Sequence, residues 1–98
     1  MSEFEPVLLE LEMDIDFLRI LSEDDQPDFV ETFLAMMSYL VKLFASSPDH
    51  RKVILGHMKS ELAVYTQSLF DTEAEYNELM VMNTSSFYDG LTLLAKLV

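Results

Sequence analysis

The chain has no cysteine and no tryptophan, and among its 98 residues only two glycines, three prolines and six basic side chains. Each scarcity excludes something. Without cysteine there are no disulfides, no thiolate nucleophile and no cysteine-based zinc site, so a small disulfide-stapled secreted domain is untenable and a cytoplasmic location is expected. Neither glycine lies in a phosphate-binding loop pattern, and no cofactor-binding pattern occurs. Six bases against 18 acids leave a net charge of −12. Such a field repels nucleic-acid phosphate and anionic lipid, so direct nucleic-acid binding is not expected. No apolar run reaches the roughly 18–20 residues of a membrane span, and the start, "MSEFEPVLLELE", is acidic where a secretion signal is basic. Neither membrane insertion nor export by that route is expected.

What remains is ample material for a core. Half the residues are hydrophobic, with 7 Phe and 4 Tyr, which suits one globular domain over residues 1–98 rather than disorder. The acids are unevenly placed: residues 1–31 hold eleven of the 18 against Arg19 alone, whereas residues 42–62 carry a small basic excess.

The stretch "LLELEMDIDF", Leu8 to Phe17, alternates apolar and acidic residues and by period alone would fit a half-buried strand. Its residue types, Leu, Glu and Met, favour helix, and the alternation stops at "FLRIL". Wound at about 100° per residue, Phe4, Leu8, Leu11, Ile15 and Leu18 form one stripe, and Leu9, Met13, Phe17 and Ile20 the opposite one. Acids fill both seams. A helix from about 4 to 21 is therefore predicted, with Pro6 in its first turn, where a missing N–H costs nothing. Apolar on two sides, it must be the central element of a bundle or meet another chain.

A second helix follows in "PDFVETFLAMMSYLVKLFASS", with Pro27 near its first position. Phe29, Val30, Phe33, Leu34, Met36, Met37, Leu40, Val41 and Phe44 form its apolar arc, opposite Glu31, Ala35, Ser38, Lys42 and Ala45. "SSPDH" reads as stop and restart, with Ser47 as N-cap and Pro48 first in a third helix reaching about Phe70. Ile54, Leu55, Met58, Leu62, Tyr65 and Leu69 are its core stripe. Thr72 and Glu75 have capping-box spacing, opening a short fourth helix over about 73–82. "NTSS" is expected to break it, and Ser85 or Ser86 to open a last helix carrying Phe87, Leu91, Leu94 and Val98. The fold class expected is all-α, a compact bundle of four to five helices.

Chemistry is sparse. His50 and His57 share a helix face but stand about 10 Å apart along it, too far for one metal ion. His57 and Glu61, at i and i+4, read as a surface pair, since no third ligand is placed beside them and no EF-hand loop occurs. "GHMKSEL" resembles the histidine-phosphotransfer pattern of His, apolar, Lys, Gly, with Lys59 one position early and Ser60 in place of the glycine. It would imply a phosphorelay-type helical domain, the third reading. No catalytic residue and no metal ligand is assigned.

The acids carry the leading reading. Glu10 with Asp14, and Glu12 with Asp16, are like-charge pairs at i, i+4 that each cost a few tenths of a kcal/mol on a helix. Together with Glu23, Asp24 and Asp25 they form the candidate partner-binding face. They suit a non-enzymatic interaction protein that engages a partner protein with a basic surface, as an inhibitor, antitoxin-like or anti-defence factor or adaptor, with imitation of a phosphate backbone as one form of this. The alternative is a secretion or assembly chaperone or a subunit of an obligate oligomer such as a homodimer, with Leu9, Met13, Phe17 and Ile20 as the interface. The pairs Met36–Met37 and Met80–Met82 are assigned to the core, and exposure beside Leu79 or Phe87 would instead mark an adaptable binding face.

Overall fold

The computed structural model describes the backbone of residues 3–22, 28–69 and 74–98, and the side chains of residues 3–21, 30–68 and 84–98. Four α-helices make up the fold: α1 (Glu5–Ser22), α2 (Asp28–Ser46), α3 (Arg51–Leu69) and α4 (Ala74–Leu97), with a 3₁₀ turn at Pro48–His50 leading into α3. Residues 8–17 are helical throughout, so residue type outweighs the two-residue alternation. Pro6 lies in the first turn of α1 and Phe29 in that of α2, where only its backbone is described; Glu23 to Asp25 and Pro27 lie outside the described residues.

Each helix packs on the next, and α4 closes the ring on α1; among the described residues neither diagonal pair, α1 with α3 or α2 with α4, brings its backbones together. Successive helices run antiparallel. Phe4 before α1 meets Phe44 near the end of α2, and Phe33 near the start of α2 stacks on Tyr65 near the end of α3. The result is an elongated bundle of about 40 × 21 × 19 Å.

The core is the sum of one stripe per helix. Leu8, Leu11, Ile15 and Leu18 are buried from α1, as are Val30, Phe33, Leu34, Met37, Leu40, Val41 and Phe44 from α2. From α3 come Ile54, Leu55, Met58, Leu62 and Tyr65, and from α4 Phe87, Leu91 and Leu94. Of the predicted core positions, Met36 is instead 39% exposed, beyond the edge of its arc, and Phe4 and Val98 are only partly buried. Phe29 and Leu69, the Thr72–Glu75 capping box, Leu79 and the Met80–Met82 pair lie outside the described side chains.

The chain departs from the predicted pattern at two junctions. The last two helices are one: α4 runs through "NTSS" without a break. Ser and Thr favour caps when a chain end is free, yet Thr84 is only 1% exposed and sits three residues before Phe87, extending the buried stripe by a turn. Tertiary packing overrides the local preference. Hydroxyl residues are accommodated within helices elsewhere in the bundle, where Thr66, Ser68 and Thr92 each donate to the carbonyl four residues back. At the α2–α3 junction, Pro48 is first in the 3₁₀ turn, but the Ser47 side chain does not cap it. Instead the Ser47 carbonyl accepts from the His50 N–H at 3.1 Å, and α3 proper starts at Arg51.

Arg51 ties three elements together at this corner. Its Nε donates to the Phe44 carbonyl at 3.0 Å and its Nη2 to that of Ala45 at 3.4 Å, satisfying the C-terminal end of α2, while its guanidinium lies 4.2 Å from the Phe4 ring centroid and 5.4 Å from that of Phe44. Phe4 and Phe44 themselves meet edge to face at 5.3 Å. At the far end Phe33 stacks on Tyr65 at 3.9 Å and meets Phe87 edge on at 6.1 Å, joining α2, α3 and α4.

Arg51→Ala, which removes hydrogen bonds to helix-end carbonyls and both ring contacts, is expected to destabilise by about 1–3 kcal/mol, and Arg51→Lys by less, because the charge persists without the planar fork. Urea denaturation measures both. The two glycines should answer oppositely. A Cβ at Gly56 would meet nothing within 4 Å, so Gly56→Ala is expected to stabilise by about 0.5–1 kcal/mol. A Cβ at Gly90 would fall 2.7 Å from Leu11 Cδ2 and 3.1 Å from its Cγ, so Gly90→Val is expected to cost about 1–3 kcal/mol by pushing the buried Leu11 side chain out of its packed position.

Candidate functional site

The ring of helices determines what α1 can show. Its Leu8–Leu18 stripe faces inward, and Leu9, Met13, Phe17 and Ile20 therefore lie outside, 47–67% exposed. The central-element alternative is thereby set aside: α1 has a neighbour on each side and none in front among the described residues. The four exposed side chains form a ridge along the outer face of α1.

Carboxylates border this ridge on both sides. Toward α2, Glu12 and Asp16 line a shallow groove with Ile15, Arg19, Ser38 and Lys42, and Asp16 pairs with Arg19 at 3.8 Å. Toward α4, Glu10 and Asp14 line a second groove, about 320 Å³, whose opposite wall is Ser86, Asp89, Gly90 and Leu93 and whose apolar part is Pro6, Val7 and Leu11. This groove brings three carboxylates together, and among the described residues lining it there is no base. Asp89, about 75 residues downstream of Asp14, has no sequence signal linking it to the site; only the closure of α4 on α1 puts it there.

Asp14 is the perturbed member. Burial raises its pKa above the usual value of 3.8, with the neighbouring Glu10 charge pushing the same way, and its Oδ2 is buried without a hydrogen-bond partner. The like-charge i, i+4 spacing noted in the sequence therefore has a physical consequence at this pair.

Of the sequence-predicted partner-binding residues, Glu10, Glu12, Asp14 and Asp16 come together around the ridge, and Glu23, Asp24 and Asp25 lie outside the described residues. His50 and His57 are both exposed on the surface. Among the described residues no group of three or more His, Cys, Asp or Glu side chains is arranged to hold a metal ion, and no helix is long and apolar enough to cross a membrane. Among the described residues, exposed apolar side chains also occur as the pairs Met36 with Tyr39 on α2 and Leu93 with Leu97 on α4, and at Val53, Val64 and Tyr88, but none of these makes a run of four at helical spacing like that of α1.

No protein-family model, curated protein or solved structure matches the chain.

The raised pKa of Asp14 gives a pH signature. A carboxyl that holds its proton more tightly when folded destabilises the fold once ionised; this cost is full above its folded pKa and vanishes as pH falls to its ordinary value of 3.8. Asp14→Asn is therefore expected to raise the melting temperature at neutral pH, with the gain shrinking as the pH is lowered through the carboxylate range. Thermal scans at several pH values check this, and a gain that grows toward low pH would contradict it.

Proposed function

We propose that the protein is a non-enzymatic interaction module, an acidic helical bundle acting in the cytoplasm that binds a basic surface of a partner protein through the outer face of α1, in the manner of an inhibitor or adaptor. One observation carries this reading. A contiguous apolar ridge stands in solvent between two rows of carboxylates, although a soluble bundle gains nothing in its own fold from leaving Leu9, Met13, Phe17 and Ile20 wet. Apolar contact supplies affinity once docked, and the acids supply steering and exclusion of wrong partners. Self-assembly through this face is disfavoured, because a second copy would set acids against acids.

The test replaces Glu10 and Glu12 by Gln and Asp14 and Asp16 by Asn. Immobilised native chain is expected to retain basic proteins from a lysate of the native host at low salt and to release them as the Debye length falls from about 30 Å at 0.01 M to about 8 Å at 0.15 M salt. The fourfold variant should lose most of that retention. Equal retention by the two chains would remove the acidic face from the function.

A further inference from the structure

We propose that the outer ridge of α1 seats a basic amphipathic helix of the partner, laid along Leu9, Met13, Phe17 and Ile20 with its more basic edge turned toward α4. This rests on the reading that the acidic face binds a basic protein, and adds the shape and orientation of what binds.

The ridge dictates the shape. From Leu9 to Ile20 it runs three helical turns, about 16 Å at 1.5 Å per residue, which matches a helix of about 12–15 residues bearing apolar side chains at i, i+3, i+4 and i+7. The carboxylates beside it dictate the charge, since an occupant with apolar residues along its centre needs bases along its edges. The two sides of the ridge dictate the orientation. Toward α2, Glu12 and Asp16 share their groove with Arg19 and Lys42, and Asp16 is already paired with Arg19. Toward α4, Glu10, Asp14 and Asp89 have no base among the residues lining their groove, so uncompensated charge is concentrated there. The same carboxylates disfavour both a second copy of this chain and an anionic membrane surface as occupant.

The probe is a fluorescein-labelled 18-residue peptide of Leu, Ala and Lys, with leucines on one helical stripe and lysines on both its edges. A permuted peptide of identical composition, with no such stripe, is the control. By fluorescence anisotropy the full chain is expected to bind the amphipathic peptide at least about tenfold more tightly than the permuted one. The double variant Leu9→Ser with Phe17→Ser should erase that difference, whereas Val64→Ser, an exposed apolar position on α3, should preserve it. Glu10→Gln with Asp89→Asn should weaken binding about fivefold, and more than Glu12→Gln with Asp16→Asn. All these positions are exposed, so helix content should hold and no variant should melt lower than the native chain; Met13→Lys, at the middle of the ridge, provides a second variant should the double one fail to fold.

Equal affinity for the two peptides would overturn the inference while leaving a purely electrostatic interaction module standing. No binding of either peptide, a Val64→Ser loss equal to that of the ridge variants, or a larger effect on the α2 side would also overturn it. So would sedimentation of the native chain as a dimer that the Leu9→Ser, Phe17→Ser variant dissociates, since the occupant would then be a second copy.

Discussion

A helix in a four-membered ring has two neighbours and one inward face, so it can bury little more than half its circumference. For α2 and α3 this is nearly enough, because each carries most of its apolar residues on one side. For α1 it is not. Two apolar stripes lie on opposite sides of one helix, and burying Leu8, Leu11, Ile15 and Leu18 forces Leu9, Met13, Phe17 and Ile20 into water. The conflict has no solution within the ring, and every feature of the candidate site follows from how it is resolved.

The rotation of α1 about its own axis is consequently the variable that matters, and the packing fixes it. Gly90 lets Leu11 come against the α4 backbone more closely than any side chain at that position would allow. At the other end, Phe4 is held edge on by Phe44 and covered by the Arg51 guanidinium, which also closes the last carbonyls of α2. A turn of α1 by one residue would break both contacts. These contacts set which face of α1 is turned outward.

The stripes of α2 and α3 were legible because long runs of apolar residues at helical spacing survive any reasonable choice of helix ends; Phe33, Met37, Val41 and Phe44, and Ile54, Met58, Leu62 and Tyr65, are all buried. The junctions were less so. "NTSS" contains four residues that each favour a cap over a helix interior, yet the helix runs on and Thr84 is buried on the same stripe as Phe87 and Leu91. Local preference of a few tenths of a kcal/mol per residue yields to burial worth more. Ser47 does not cap with its side chain because Pro48 starts a 3₁₀ turn, in which the Ser47 carbonyl rather than its hydroxyl accepts from the His50 N–H.

Residue spacing alone dictates that α1 has two greasy edges with acids between them, because the 3.6-residue period converts spacing along the chain directly into angle around the axis. It could not say which edge would be wet, since the two stripes are nearly equal in apolar content and only packing against α2 and α4 distinguishes them. Nor could it place Asp89 beside Glu10 and Asp14, or Lys42 beside Glu12 and Asp16, because charges from different helices become neighbours only when the ring closes. Local periodicity is written in the chain, whereas the choice between two competing faces is a property of the assembled bundle.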